Sequence, residues 1–344
     1  MAIAGTELPE GAEVFVAPAG RDADARERPD GLAIAPWSLP GDGRNLQDGC
    51  GAGGQAGVMN LTKASDFMAM HARPLDRRRF ELLTGGGDRA ALLAALNAYR
   101  NPDGGYGHGL EPDLRSRTSQ PGPALHAFEV FEELAPATAP EAVALCDWLE
   151  SVTLPDGGLP FGLHVPDPAG CAPFWAGADP RVPSLQITAV VAATAQRVAV
   201  HDKAVAEHPW VDRATRYCLD AMRAKDELHA LELAFALWLA DAVHDTEALA
   251  LLGEHIPESG LVHVQGGLED EMMRPLDFAP YPDRPVRALF ADGIVASELR
   301  RLDDEQRDDG GWRVDFASYS PAAELEWRGY ATVKAVSILT RNAR

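Results

Sequence analysis

The sequence of 344 residues is short of positive charge and contains no long apolar run. It has 31 Lys and Arg against 52 Asp and Glu, which gives a formal net charge of −21. A surface of that sign repels nucleic-acid phosphates and anionic lipids, so we expect neither nucleic acid nor a membrane surface as a partner. The most apolar stretch, residues 230–243, includes Glu232 and Asp241 and is too short to cross a bilayer, so no transmembrane segment is predicted. The one basic cluster, four arginines within residues 73–79, is interpreted as a solvated helix face.

Cysteine is equally scarce. The four cysteines show no C-x-x-C spacing and no histidine at zinc-site spacing, so we expect reduced thiols and no metal or other cofactor. The first residues also lack the basic and apolar regions of a secretory signal. Together these absences predict a cytoplasmic protein. The cysteines are Cys50, Cys146, Cys171 and Cys218.

Residues 1–58 differ in composition from the rest of the chain. They contain 11 glycines and 5 prolines and show no lasting helical or strand periodicity, which is typical of disordered or loosely structured segments. Helical periodicity begins after the in-frame Met59. We therefore predict that residues 1–58 are a disordered tail or an upstream over-extension of the reading frame. The folded domain is predicted to cover residues 59–344.

Apolar residues recur at three- and four-residue spacing along most of that domain, which predicts amphipathic helices. No run of six or more residues alternates as a half-buried strand would. We therefore predict an all-α fold. The predicted helical segments are 64–83, 88–100, 122–135, 139–153, 184–200, 210–224, 227–243, 245–255, 287–304 and 325–341.

A glycine-rich phrase recurs between the predicted helices. Residues 101–110 (NPDGGYGHGL) and 154–163 (LPDGGLPFGL) share the pattern x-P-D-G-G-x-x-x-G-L and lie 53 residues apart. A third Asp-Gly-Gly occurs in residues 306–316, and residues 257–264 hold a degraded form with Glu258 in the place of the aspartate. Glycines in this position end a helix with positive-φ backbone. A spacing of roughly 51 residues predicts stacked helical hairpins that bury their apolar faces by closing into a ring.

Gln306-x-x-Asp309-Gly310-Gly311-Trp312 resembles the Q-x-x-D-G-x-W motif of the terpenoid cyclase and protein prenyltransferase superfamily. The two decamers are similar to weaker copies of that motif. The resemblance covers residues 60–344 and implies an α/α toroid of about five to six helical hairpins around an apolar central cavity. It also implies terpenoid-cyclase-like or prenyltransferase-like activity on an isoprenoid.

The chain lacks the catalytic signatures of the best-known members of that superfamily. It has no D-x-D-D, whose central aspartate is the proton donor of class II cyclases; the nearest string, residues 300–306, has Arg301 in place of the first aspartate. It also has no Asp-x-Cys with a distant histidine for zinc, and no D-D-x-x-D for metal-assisted ionisation. The resemblance therefore fits a short, stand-alone toroid, and it leaves open whether the chain is an enzyme.

Residues 108–122 form the densest polar segment and follow one of the glycine phrases, which places them near a cavity mouth in the implied ring. Glu111 and Asp113 are candidate catalytic groups, because carboxylates near arginines can act as general acids or clamp a polar ligand. The alternative is a salt-bridged loop that caps the next helix. The candidate binding residues of this segment are His108, Arg115 and Arg117.

Two further segments carry candidates. Residues 269–290 contain four prolines and are predicted to form either a wall of the substrate site or a long ordered loop. Residues 320–336 place charge and an aromatic ring at the start of the last helix, although Glu324 and Arg328 also fit an ordinary i,i+4 pair. The candidates are Asp277 as a catalytic acid and Tyr281, Arg284, Glu326, Arg328 and Tyr330 as binding residues.

Three functions remain open from the sequence. The first is an enzyme that protonates an isoprenoid or other apolar substrate with a buried carboxylic acid of raised pKa. The second is a glycan-acting hydrolase or lyase, which needs paired carboxylates and aromatic platforms. Glu111 and Asp113 beside Tyr106 would supply one such set, and Asp277 with Tyr281 another, although aromatics make up only 7% of the chain. The third is a non-catalytic toroid that binds a partner, for which a filled centre is expected.

Overall fold

The computed structural model describes residues 59–343, and the predictions for residues 1–58, including Cys50, lie outside that range. The described chain is mostly helical with almost no strand, which confirms the all-α class. None of its helices is long and apolar enough to span a membrane. The helices are α1 (Leu61–His71), α2 (Pro74–Leu83), α3 (Arg89–Asn97), α4 (Pro121–Glu133), α5 (Pro140–Val152), α6 (Pro173–Ala176), α7 (Leu185–Ala199), α8 (Lys203–Ala206), α9 (Pro209–Ala224), α10 (Ala230–Ala242), α11 (Thr246–Gly253), α12 (Pro275–Phe278), α13 (Asp292–Asp304) and α14 (Pro321–Asn342). A 3-10 helix spans Pro285–Leu289, and strands β1 (Val262–His263) and β2 (Met272–Met273) pair antiparallel.

The long helices follow the predicted segments closely, because apolar residues at helical spacing create one face that must be buried. The predicted segment 64–83 is wrong in one respect, since it divides into α1 and α2 at Pro74. A proline restricts the residue before it to extended backbone, and Arg73 has φ −62° and ψ 155°. The short helices α6, α8 and α12 and the two strands offer too few residues for periodicity to reveal them.

The long helices pack as pairs. α2 contacts α3, α4 contacts α5, α7 contacts α9, α10 contacts α11, and α12 contacts α13. Contacts also join α4 to α7 and α7 to α10. The last helix, α14, packs against both α1 and α2. The first and last described helices therefore meet.

Helices α7 and α10 form the most deeply buried part of the core. Both bury nearly all of their residues, and a helix that is apolar on every side must be surrounded by other elements. The partner of α7 in its pair, α9, is instead amphipathic and buries only one face. The pair of α7 and α9 thus consists of one deeply buried helix and one amphipathic helix. The described cysteines, Cys146, Cys171 and Cys218, are free thiols.

The three Asp-Gly-Gly phrases form turns with the same hydrogen bonds. Gly104, Gly157 and Gly310 have φ of +93°, +99° and +92°, which residues with a Cβ rarely adopt. The aspartate before each of these glycines accepts a hydrogen bond from the amide of the second glycine at 3.0–3.1 Å. The carbonyl oxygen of that second glycine accepts from the amide four residues earlier, at 2.9 Å in all three turns. The sequence repeat is therefore a structural repeat.

The degraded fourth phrase forms a related turn in a different register from the predicted one. Gly260 has φ +73°, and its amide donates to the carbonyl oxygen of Pro257 at 2.8 Å, as the first glycine does in the other turns. The Ser259 hydroxyl accepts from the amide of Leu261 at 3.3 Å. Ser259 thus stands in the place of the aspartate. The assignment of Glu258 to that place was wrong by one residue, because the positive-φ glycine and not the acidic side chain fixes the register.

Each of the three repeated turns packs against a further helix of the fold. The second glycine lies against an aromatic ring there: Gly105 against Trp148 of α5, Gly158 against Tyr217 of α9, and Gly311 against Phe67 of α1. A side chain on any of these glycines would overlap the ring. Because the last of the three turns uses α1, the repeating contact continues across the two ends of the described chain.

Candidate functional site

A cavity of about 350 Å³ lies beside α10 and α14, with residues 271–277 and 312–316 as its other walls; we term it the main cavity. Most of its lining is apolar, and Phe316 and Tyr330 both meet Trp327 edge-on at centroid distances of 5.2 and 5.6 Å. Packed aromatic rings of this kind form a rigid wall for an apolar ligand. The aromatic lining residues are Phe235, Trp238, Trp312, Phe316, Trp327 and Tyr330.

Asp277 and Lys334 form an ion pair in the wall of the main cavity. Asp277 is the third residue of α12, where its Oδ2 accepts from the backbone amide of Arg274 at 3.0 Å and so fixes the helix start. Its Oδ1 accepts from the Lys334 ammonium of α14 at 3.1 Å. Burial lowers the pKa of Lys334, but the negative charge of Asp277 outweighs it and the net pKa is raised. The ion pair therefore favours the charged form of Lys334.

Asp315 is a second acid of the main cavity. It follows Trp312 in the loop of the last glycine turn, lines the cavity and is an exposed residue. No other side chain of residues 59–343 donates a hydrogen bond to its carboxyl group. Burial by the surrounding protein raises its pKa, and the neighbouring charge of Asp277 raises it further. The two acids thus differ in their partners: Asp277 is paired with Lys334, whereas Asp315 has a raised pKa and no side-chain partner among the described residues.

A second cavity of about 140 Å³ shares Trp238, Tyr330 and Lys334 with the main cavity, so these three side chains separate the two spaces. Its lining is strongly charged, which sets it apart from the aromatic main cavity. The charged lining residues other than Lys334 are Arg79, Arg197, Arg284, Glu129, Glu132, Glu133 and Asp241.

A buried polar chain leads from Tyr330 into the protein. The Tyr330 hydroxyl donates to Glu129 Oε1 at 2.7 Å, and Glu129 Oε2 lies 3.2 Å from His126 Nδ1. His126 Nε2 lies 3.0 Å from Glu111 Oε2. Burial lowers the pKa of His126, but the two carboxylates raise it more, so the net pKa is raised. Burial opposes the charge on Glu129, yet Arg79 and His126 lower its pKa to about 2. His126 therefore lies between the carboxyl groups of Glu129 and Glu111, and this environment favours its protonated form.

The basic cluster near residue 73 is only partly a solvated face. Arg73 and Arg79 are 8% and 6% exposed, so the predicted solvation was wrong for both. Arg73 Nε donates to Asp76 at 2.6 Å, and Arg79 Nη2 donates to Glu133 at 2.7 Å. Their carboxylate partners supply the neutralisation that burial requires.

The loop 108–117 does not reach either cavity, contrary to the expectation that it lies at a cavity mouth. Glu111 is buried against His126, and Asp113 accepts from the Tyr319 amide at 3.0 Å and from the Trp327 indole at 2.7 Å. Both carboxylates fasten the loop to neighbouring helices. The alternative interpretation was a salt-bridged loop that caps the next helix; the loop is indeed held by polar contacts, but the N-cap residue of α4, Gln120, makes no side-chain capping hydrogen bond.

The remaining predicted residues divide between the cavities and structural contacts. Asp277 and Tyr330 line the main cavity, and Tyr281, Arg284 and Tyr330 line the second one. Away from both, Arg115 pairs with Glu326 at 2.8 Å, and Arg328 pairs with Asp309 of the last glycine turn at 2.8 Å rather than with Glu324. His108 and Arg117 are exposed, and His108 contacts Asn101 at 2.9 Å. Sequence reasoning missed Asp315 and Lys334; the only available signal was that Asp315 follows the clearest glycine phrase.

Comparison of the chain with known families and with curated proteins supplies no relative. No family model matches the sequence, and no curated protein matches it. Within residues 59–343 there is also no group of three or more His, Cys, Asp or Glu that could hold a metal ion. The function must therefore be argued from the cavities themselves.

Proposed function

We propose that the folded domain is an α/α toroid whose helical pairs curl until α14 meets α1. The support lies in the order of the contacts: successive pairs adjoin, and α14 takes α1 as its outer partner. The repeated glycine turns support the same arrangement, because the turn at Gly310 packs on α1 as the turn at Gly104 packs on α5. The main cavity would then be the hollow centre that such a ring encloses.

We further propose that the domain is a terpenoid-cyclase-like or prenyltransferase-like enzyme that acts on an isoprenoid or a similar apolar substrate in the main cavity. The observation that carries this proposal is an aromatic cavity of about 350 Å³ that holds Asp315, an acid of raised pKa. Aromatic rings bury an apolar chain and also attract a cation through their faces.

Asp315 is the proton donor in this proposal. Its raised pKa keeps a fraction of the carboxyl groups protonated, so the O–H bond can break as a C–H bond forms at a substrate alkene. The positive charge then lies on the neighbouring carbon, where the rings of Trp238 and Trp327 stabilise it. The carbocation then transfers a proton from an adjacent carbon to the Asp315 carboxylate, and the electrons of that C–H bond form the product alkene, which restores the acid. Asp277 and Lys334 act as positioning residues, because their charges set the pKa of Asp315.

The test is incubation of the purified protein with farnesyl, geranylgeranyl and squalene-type substrates, with product detected by mass spectrometry. Asp315→Asn removes the acid at constant shape and is expected to lower turnover by about 10²- to 10⁴-fold, the usual contribution of a general acid. Asp308→Asn is the matched control, because Asp308 is exposed on the same loop and lies outside the cavity. Absence of product from every isoprenoid, or equal activity of the two variants, would reject the proposal.

A glycan-acting enzyme is the second candidate, because Asp277 and Asp315 line the same cavity beside aromatic rings. Paired carboxylates with unequal pKa values are the arrangement that glycoside hydrolysis uses. Turnover of an oligosaccharide panel that is lost in both Asp277→Asn and Asp315→Asn, without turnover of isoprenoids, would favour this function over the first.

A further inference from the structure

The second cavity contains arginine side chains whose hydrogen-bonding capacity is not used. Arg197 donates through Nε to Glu132 Oε2 at 2.9 Å, and its two terminal nitrogens make no hydrogen bond within residues 59–343. The nearest acid to Arg284 is Glu132, with Arg284 Nη2 3.8 Å from Oε1, which is beyond hydrogen-bond distance. Both arginines line the cavity, and their side chains are only 16% and 24% exposed. Donors in such a confined space are available to a ligand.

The acids of the same cavity are mostly occupied. Both oxygens of Glu133 accept from Arg79, and the oxygens of Glu129 accept from Tyr330 and face His126 and Arg79. One oxygen of Asp241 accepts from the backbone amide of Val286 at 2.9 Å. The open acceptors are therefore Glu132 Oε1 and the second oxygen of Asp241. The unused N–H groups of Arg197 and Arg284 outnumber these open acceptors, so a ligand in this cavity should supply hydrogen-bond acceptors.

The charges of the lining indicate how much negative charge a ligand can bring. Four cationic side chains, Arg79, Arg197, Arg284 and Lys334, line the cavity with four carboxylates, those of Glu129, Glu132, Glu133 and Asp241, and Lys334 is also paired with Asp277 from the main cavity. A group with several negative charges would meet this balanced set without enough compensation. A single planar anion fits better, because guanidinium N–H groups match the two oxygens of a carboxylate. The volume of about 140 Å³ suits a small molecule or the end of a larger one.

We propose that the second cavity binds the carboxylate group of a small organic acid, with Arg197 and Arg284 as the donors. The hydroxyls of Tyr281 and Ser337, which lie 3.2 Å apart in the same wall, are placed to complete the hydrogen bonding of its oxygens. This proposal does not depend on the reaction in the main cavity.

The test is titration of the full chain with hexanoate and, as a neutral match, hexanamide. Binding is followed by calorimetry and by the ¹⁵N-labelled indole of Trp238, which lines both cavities and is assigned with a Trp238→Phe variant. Hexanoate is expected to bind saturably and about tenfold or more tightly than the amide, because charge-assisted hydrogen bonds contribute about 1.5–3 kcal/mol. Equal affinities, or no saturable binding of hexanoate, would overturn the proposal.

Variants locate the binding. Arg284→Gln is expected to weaken hexanoate binding about tenfold, and Arg284→Lys less, because lysine retains the charge without the fork. Arg197→Gln should weaken it similarly, and thermal unfolding establishes that each variant is folded. Arg313→Gln is the control, since Arg313 is exposed at the main cavity only. Unchanged affinity in both Arg284→Gln and Arg197→Gln, or a loss in Arg313→Gln alone, would refute the site. Asp315→Asn should leave hexanoate binding intact, which separates this result from any failure of the proposed enzyme activity.

Discussion

Replacing Gly310 by alanine measures how much the contact between the last glycine turn and α1 stabilises the fold. Gly310 has φ +92°, and a Cβ built on it would overlap the carbonyl oxygen of Lys63 in α1. A left-handed conformation costs a residue with a Cβ about 1–2 kcal/mol. Overlap with backbone atoms that cannot rotate away adds about 1–3 kcal/mol, as other overpacked sites do. We therefore expect Gly310→Ala to lower the free energy of unfolding by about 2–5 kcal/mol.

Gly85→Ala is the matched control for this experiment. Gly85 has φ +86°, but a Cβ there would meet no atom within 4 Å, so only the conformational cost of about 1–2 kcal/mol applies. Gly104→Ala supplies an internal comparison, because its Cβ would lie 2.7 Å from the carbonyl oxygen of Ala144 in α5. Urea unfolding followed by circular dichroism gives the midpoints and slopes. If Gly310→Ala is no less stable than Gly85→Ala, the turn does not press on α1 and the closing contact is refuted.

Three further predictions concern buried polar groups. His126 should titrate in NMR spectra above its ordinary pKa of 6.5, because two carboxylates flank it. The stability that protonated His126 gives the fold is complete below pH 6.5 and is lost as the pH rises through the raised pKa of the folded state. Glu129→Gln should lower the free energy of unfolding by about 3 kcal/mol near neutral pH in urea unfolding, because folding lowers the pKa of Glu129 from 4.5 to about 2. This stabilisation is present above pH 4.5 and is lost as the pH falls toward 2. Thr332→Val should cost about 1–3 kcal/mol in the same assay, because the Trp312 amide, 3.1 Å from the Thr332 hydroxyl, loses its buried acceptor.

The controls for these predictions are surface and conservative changes. Glu150→Gln breaks an ion pair with Arg213 whose side chains are more than a third exposed, so it should cost at most about 1 kcal/mol. A loss in Glu129→Gln no larger than that would contradict the buried-network account. A His126 pKa at or below 6.5 would contradict it as well. Thr332→Ser keeps the hydroxyl, so equal losses in the serine and valine variants would exclude the hydrogen bond as the cause.

The helices of this fold were predictable because their determinants are local. Apolar spacing reveals the helices, and the glycine phrases mark the turns that follow some of them. The division at Pro74 was missed because the apolar periodicity continues through it. The fourth glycine turn was misaligned because Glu258 resembles an aspartate chemically, whereas the turn depends on the backbone of Gly260. The local sequence pattern therefore predicted most of the helices, but not the break at Pro74 or the alignment of the fourth glycine turn.

The candidate site was less predictable because it depends on contacts between distant residues. Asp113 was predicted as a catalytic carboxylate, but it accepts a hydrogen bond from the Trp327 indole, which lies 214 residues later. The link between Tyr330 and Glu129 spans 201 residues. Nothing in the local sequence distinguishes Asp315, since its raised pKa arises from burial and from Asp277 across the cavity. Charge density in a loop identified Asp277, but the same criterion also selected Glu111, which fastens the loop instead.

Helix α14 connects the closing contact to both cavities. Trp327, Tyr330 and Lys334 are spaced three and four residues apart, so they share one face, and all three line a cavity. Arg328 and Thr332 share another face and hold the last glycine turn, through Asp309 and the Trp312 amide. Rotation or translation of α14 relative to that turn would therefore move Tyr330 and Lys334 together. A substitution that loosens the turn, such as Gly310→Ala, should thus disturb ligand binding in both cavities although Gly310 lines neither.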